Sequence, residues 1–260
     1  MQTEVFKTVG FAAVVCVVCS IFVAGSAVAL KDRQEENKIL DLRSKVLLVA
    51  DLAEPGEKLA REVINQRFEE NVSAVVIDLA TGEYAPDIDP VAFDQRAAKQ
   101  DPDRSEAAPS NNARVSRLPD NALVYQLLDG DEVQRVILPI EGYGLWSTLY
   151  GFLALSADLE SIEGITFYEH GETAGLGGEV DNLNWQALWP GRQAFDDQWR
   201  PQIEVIKGSA GTPDQDPFRV DGLAGATITS RGVTNLLRFW LGENGFGPYL
   251  DRYRAERGIS

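Results

Sequence analysis

Hydrophobic and polar positions follow three different patterns along this chain, one unbroken run and two periods, and each predicts a different kind of element. From Val9 to Leu30 there is no alternation at all: 22 uncharged, mostly apolar residues follow one another before Lys31. At about 1.5 Å rise per residue such a run crosses a hydrocarbon core of roughly 30 Å. Residues 1–8 are then a tail and 9–30 a transmembrane helix. A cleaved signal peptide is the rival reading, with Ala27-Val28-Ala29 as the cleavage signal. Its apolar core is normally about 7–15 residues, and the greater length here favours a retained anchor. Past Lys31 the period becomes helical. Ile39, Leu42, Val46 and Val49 fall on one face, so Glu35 to Leu52 reads as an amphipathic helix. Ala53-Glu54-Pro55-Gly56 interrupts it, and Glu57 to Phe68 predicts a second helix.

The period then drops to two. Val72 to Leu79 is β-branched and reads as a strand. Thr81 to Asp120, rich in Pro, Asp, Ala and Asn, predicts an irregular insertion with one short helix at 91–99. Ala122–Leu128 and Glu132–Leu138 flank Asp129-Gly130, a hairpin signal. Tyr150–Ser156, Gly164–Glu169 and Ile203–Lys207 are further strands, and a short helix is expected at Trp185–Leu188. The last helix, Ser230 to Trp240, sets Val233, Leu236, Leu237 and Trp240 on one face and stops at Gly242 or Asn244-Gly245. The expectation is an α+β fold: one N-terminal transmembrane helix, then a mostly antiparallel sheet with flanking helices. Residues 31–120 form a helical and strand-bearing N-terminal part, and 121–260 the second domain.

The net charge of −16 lies entirely beyond the anchor, because Glu4 and Lys7 cancel. Such an acidic domain does not bind nucleic acid. Cys16 and Cys19 have C-x-x-C spacing but lie inside the apolar run, where they act as small apolar residues. His170 is the only histidine, so a zinc site lacks ligands and a Ser-His-Asp arrangement has one possible base. His170 itself reads as a satisfied histidine at a strand end. Neither a dinucleotide fingerprint nor a phosphate-binding P-loop is present. No catalytic side chain and no metal site are therefore expected, and any chemistry must come from a held cofactor.

Three glycine-rich loops are candidates to hold it: Gly142-Tyr-Gly-Leu-Trp-Ser147, His170-Gly-Glu-Thr-Ala-Gly-Leu-Gly-Gly178 and Asp221-Gly-Leu-Ala-Gly-Ala-Thr-Ile-Thr-Ser230. Glycine permits close approach of backbone to another molecule. In the third loop Thr229 or Ser230 is expected to cap the last helix. A phosphate on Thr227 would sit at that helix's N-terminus, where free N–H groups and the dipole favour an anion. Gly225 and Ala226 remove bulk beside it, and Asp221 would orient the hydroxyl.

Those residues carry a resemblance. Asp221-Gly-Leu-Ala-Gly-Ala-Thr227 resembles the flavinylation signature D-x-x-[S/T]-G-A-T, in which FMN is joined through its phosphate to the last threonine. His170-Gly-Glu-Thr-Ala-Gly-Leu-Gly177 resembles the H-x-E-T-P-G-L-G loop of the same covalent FMN-binding domain family. Gly142–Ser147 followed by Tyr150-Gly-Phe-Leu-Ala-Leu155 is similar to a stretch of the C subunits of the sodium-translocating NADH:quinone reductases. The G subunits of the Rnf electron-transport complexes share the first two motifs only. Two positions depart from the pattern: Ala224 stands where Ser or Thr is usual, and Ala174 where Pro is usual.

The resemblance implies a translocase component that relays electrons from NADH toward ubiquinone, coupled to sodium export, within a six-subunit membrane complex. It implies covalent FMN on Thr227, attached by a separate flavin transferase. Asp221, Gly225, Ala226 and Thr229 would shape the phosphate turn, while Leu145, Trp146, Thr173 and Leu176 would contact the flavin or its ribityl chain. It also implies a single-pass protein of the bacterial inner membrane with its globular domain, 121–260 included, in the periplasm. The charges alone point the other way. Lys31, Arg33, Lys38, Arg43 and Lys45 outnumber Lys7 and the terminal amine, although long domains translocate despite such a bias. No acidic residue lies in the span, so ion passage through it is not expected. The alternatives are an Rnf-type flavin protein, a non-redox assembly protein whose flavin site has decayed through Ala224, and a binding protein for a free small ligand.

Overall fold

The structure is a computed structural model and describes residues 2–259. The chain divides into two units, one up to Leu42 and one from Arg43 onward. Helix α1 (Gln2–Val49) is unbroken, so the anchor and the amphipathic stretch that follows it are one helix. Its N-terminal part is long and apolar enough to cross a membrane. Phe11, Ile21 and Phe22 are exposed along it, as a lipid-facing surface requires. Val46, Leu47 and Val49, in the second unit, are buried.

That second unit is built on a six-stranded antiparallel sheet. Helix α2 (Arg61–Asn71) leads into β1 (Val72–Asp78). The following segment contains helix α3 (Gln95–Gln100) and the paired strands β2 (Ser105–Ala107) and β3 (Arg117–Pro119). Strand β4 (Asn121–Asp129) turns at Gly130 into β5 (Glu132–Tyr143), the hairpin expected at Asp129-Gly130. Strands β6 (Thr148–Ser156) and β7 (Ser161–Glu169) continue the meander. Helix α4 (Leu183–Gln186) and strand β8 (Arg192–Gln193) follow. The sheet order is β1-β4-β5-β6-β7-β8. Strands β9 (Glu204–Val205) and β10 (Arg219–Val220) form a separate parallel pair, and helices α5 (Thr227–Trp240) and α6 (Gly247–Arg257) close the chain.

Alternation decides which face each residue covers. Val136, Leu138 and Ile140 of β5 join Leu236, Leu237, Trp240, Tyr249 and Leu250 of the last two helices in one core. Gly232 lets α5 sit close on the end of β5: a Cβ there would lie 2.6 Å from the Tyr143 carbonyl oxygen. The Trp240 indole donates to the Glu141 carbonyl at 2.6 Å and fixes the other end of the helix.

The opposite face carries a run of rings, Phe68, Tyr125, Phe152, Tyr168 and Tyr150, with successive centroids 5.1–6.4 Å apart. The 81–120 insertion covers part of this face rather than standing away from it. Phe93 and Ala98 pack on Val76, with Leu123 beside them, and the Gln95 side chain accepts from the Leu123 N–H at 2.8 Å. Arg96 lies 3.5 Å from the centroid of the Tyr150 ring and pairs with Glu169 at 2.7 Å. Lys99 pairs with Glu141. Because β1 pairs with β4 along its length, the segments on either side of residue 120 share one sheet.

Candidate cofactor site

Sheet topology gathers the three glycine-rich loops at one end. Residues 144–147 are the turn between β5 and β6, closed by the Gly144 N–H donating to the Ser147 carbonyl at 2.8 Å. Tyr150 of β6 pairs with Glu169 of β7, so the 170–178 loop leaves the sheet beside that turn. Gly232 on Tyr143 brings the first turn of α5 to the same place.

The residue that ties them is Glu172. Its Oε1 accepts from the backbone N–H groups of Leu145 (3.0 Å), Trp146 (2.8 Å) and Ser147 (3.2 Å). Its Oε2 accepts from the Thr229 hydroxyl at 2.6 Å. Two glycines make room for the carboxylate: a Cβ on Gly144 would lie 2.7 Å from Oε1, and one on Gly177 2.5 Å from Oε2. The closeness that glycine allows is thus used at these positions by a side chain of the protein itself. Burial opposes ionisation of Glu172, but the Thr229 hydroxyl and the N–H groups of Trp146, Ser147 and Leu145 outweigh it, and its pKa is lowered. Glu172 was not among the site residues expected from sequence. The available signal was a lone acid inside His170-Gly-Glu-Thr-Ala-Gly-Leu-Gly177, obscured by the chain's 40 acidic residues.

Neighbouring bonds hold the loops in shape. The Ser147 hydroxyl accepts from the Gly171 N–H at 2.6 Å. His170 is satisfied on both nitrogens. Nδ1 accepts from the Glu172 N–H at 3.2 Å, so Nε2 carries the proton and donates to Asp181 at 2.8 Å. The Thr173 carbonyl accepts from the N–H groups of Leu176 and Gly178, which closes this part of the loop into a turn.

The third loop differs from expectation in its local bonding. Helix α5 begins at Thr227 with no side-chain cap. Thr229 donates to Glu172, and the Ser230 hydroxyl accepts from the Leu223 N–H at 3.0 Å. Both expected caps are thus bound elsewhere, and the first turn keeps its N–H groups for another partner. Asp221 is held in the approach to the turn: Oδ1 accepts from the Ala210 N–H and its carbonyl from the Trp185 indole, both at 2.8 Å. Gly225 has φ +72°, and a Cβ there would be 3.0 Å from Leu176 Cδ2. Ala226 is buried at the start of the helix, while Ala224, Gly225 and Thr227 are exposed.

Around the exposed Thr227 hydroxyl the loops present apolar side chains to solvent. Leu145 is 38% exposed, Trp146 65%, Leu176 45% and Ile228 53%. Large apolar groups exposed together at the rim of a site await something to cover them. The residues present fit a flavin nucleotide: an uncapped helix N-terminus suits its phosphate, a free hydroxyl suits an ester, and apolar side chains suit its ring. Thr173 is also exposed at this rim. Among the described residues no group of His, Cys, Asp and Glu could hold a metal ion.

Comparison with known proteins agrees with this assignment. The FMN-binding domain family matches residues 144–242, which contain all three loops apart from Gly142 and Tyr143. The chain is 45% identical over 256 residues to the C subunit of the Na(+)-translocating NADH-quinone reductase of Pseudomonas aeruginosa, covering 97% of each chain. It is 44% identical to the protein of the same name from Yersinia pestis, covering 95% of this chain and 92% of the relative. The crystal structure of Shewanella oneidensis NqrC superposes with a TM-score of 0.77 at 32% identity, covering 86% of this chain and 99% of that one.

Proposed function

Because the chain belongs to the family of Na(+)-translocating NADH-quinone reductase C subunits, we propose that it carries FMN esterified to Thr227. The observation that carries this reading is the exposed Thr227 hydroxyl on an uncapped helix turn, beside Gly225 and within the rim of Leu145, Trp146, Leu176 and Ile228. The bound flavin supplies the redox chemistry of the site, accepting and donating electrons. The residues of the chain hold and tune it. The first turn of α5 offers N–H groups to the phosphate, and Gly225 leaves the space beside it open. Leu145, Trp146, Thr173 and Leu176 shield the ring and ribityl chain from water. Asp221 and Thr229 act on the turn through Ala210, Trp185 and Glu172.

In this reading the protein is one component of a six-subunit inner-membrane complex that passes electrons from NADH to ubiquinone and exports sodium. A flavin transferase attaches the cofactor, and the globular unit lies in the periplasm, where a covalent tether prevents loss of FMN. The relatives described above belong to quinone reductases rather than to Rnf complexes, which supports the quinone-reductase reading over the Rnf one. Ala224 is exposed and removes only one hydroxyl, so the acceptor remains intact.

The test is the mass of the mature protein from cells that make the linkage. An addition of one FMN less water, mapped to the tryptic peptide Val220–Arg231 and absent from Thr227→Ala, is expected. A colourless chain of unmodified mass overturns the assignment.

A further inference from the structure

We infer that Glu172 is the positioning residue of this site: its carboxylate locks the 144–147 turn to the start of α5, so that the cradle is shaped before any cofactor is attached, and it places a negative charge within the cradle. The inference rests on the flavin reading above. Four donors converge on one carboxylate, and three are consecutive backbone N–H groups whose directions the turn fixes. Successive N–H groups of this kind form an anion-binding concavity. Here a side chain from the next loop fills it, and Gly144 and Gly177 lack the atoms that would push it out.

Two consequences separate this role from ordinary loop packing. The first is mechanical. Leu145 and Trp146 present their side chains from the same residues whose N–H groups Glu172 holds, so releasing the carboxylate releases the wall of the site. The second is electrostatic. Where reduction leaves negative charge on a flavin, a carboxylate held in the same cradle opposes it, so Glu172 would lower the midpoint potential of a flavin bound there. Glutamine separates the two effects. Its carbonyl can still accept from the three N–H groups, and the Thr229 hydroxyl can reverse to accept from its amide, but the charge is gone.

The experiment uses the full chain in detergent, in two forms. In a Thr227→Ala background, which cannot be flavinylated, hydrogen exchange is followed at the 145–147 amides. Glu172→Ala is expected to speed exchange by at least about tenfold, whereas Glu172→Gln stays close to the parent. In the flavin-bearing chain, Glu172→Gln is expected to raise the midpoint potential while visible absorbance and flavin content stay normal. If Glu172→Ala does not fold, Thr229→Val removes a single donor and is expected to loosen the same amides to a smaller degree. Unchanged exchange in Glu172→Ala, or in Thr229→Val where that replaces it, overturns the positioning role. An unchanged potential in Glu172→Gln overturns the electrostatic one. A wild-type chain without flavin instead removes the functional reading, and the exchange measurement then still decides whether Glu172 holds the loops.

Discussion

Two regions of the globular unit hold charge next to aromatic or apolar groups, and they do so by opposite means. On the ring-bearing face of the sheet the charges are paired through flexible side chains: Arg96 with Glu169 and the Tyr150 ring, Lys99 with Glu141. At the loop end the Glu172 carboxylate is met almost wholly by backbone N–H groups and has no cationic partner in its bonding. Side-chain pairs tolerate shifts of about an ångström because both partners have rotamers to spare. Backbone donors do not, because moving them means moving the chain. The first arrangement holds an insertion on a sheet. The second defines positions, which a cofactor cradle requires.

The sharpest way to break this contrast is to damage the ring-bearing face and ask whether the cradle notices. Phe152 is fully buried, stacked on Tyr168 at 5.1 Å and edge-on to Tyr125 at 5.8 Å. Phe152→Ala is expected to destabilise the unit by about 3–5 kcal/mol, measured by denaturant unfolding. Flavin content of the surviving folded protein is expected to be normal. Loss of flavin from protein that is still folded would mean that the two regions are not independent.

The converse change acts on the cradle. Gly177→Ala places a methyl group 2.5 Å from Glu172 Oε2 and 2.6 Å from the Thr229 hydroxyl. Overpacking of this kind costs about 1–3 kcal/mol. Here the smaller stability loss is expected to accompany the larger functional one, with flavin fluorescence of the denatured band on a gel falling while the fold persists.

The two regions were also unequally legible in the sequence. The hairpin at Asp129-Gly130, β1 and the strands β6 and β7 could be read because period two and a two-residue turn are local properties. The three loops could be read as a group because their residues resemble a known pattern. What joins them could not. Thr229 and Ser230 look like caps to any local rule, yet the helix starts at Thr227 because Glu172 and the Leu223 N–H take both hydroxyls. The insertion looked irregular because its order comes from contacts distant in sequence, Phe93 and Ala98 on Val76 and Gln95 on Leu123. The expected strand Ile203–Lys207 shrank to Glu204–Val205, paired with the equally short β10.

The smallest effect at neutral pH is also the one that distinguishes the regions most cleanly, because each fails at a different end of the pH scale. The folded pKa of Glu172 lies below its ordinary 4.5, since burial, which would raise it, is outweighed by the Thr229 hydroxyl and three N–H groups. Its contribution to stability is therefore complete above 4.5 and is lost as pH falls through the folded value. Burial raises the Tyr168 phenol to about 12, against the opposing pull of Arg96. That contribution is complete below the ordinary 10.0 and is lost as pH climbs from there toward 12. Measured as midpoint temperature against pH in the flavin-free Thr227→Ala chain, Glu172→Gln is expected to flatten the acid limb only. Tyr168→Phe is expected to flatten the alkaline limb only. His170 and Asp181 stand next to Glu172 in both chains, so the difference between parent and Glu172→Gln, rather than either curve, reports the carboxylate. If one substitution flattens both limbs, the loop end and the ring-bearing face unfold as a single electrostatic unit, and the contrast between rigid backbone donors and adaptable side-chain pairs has no energetic counterpart.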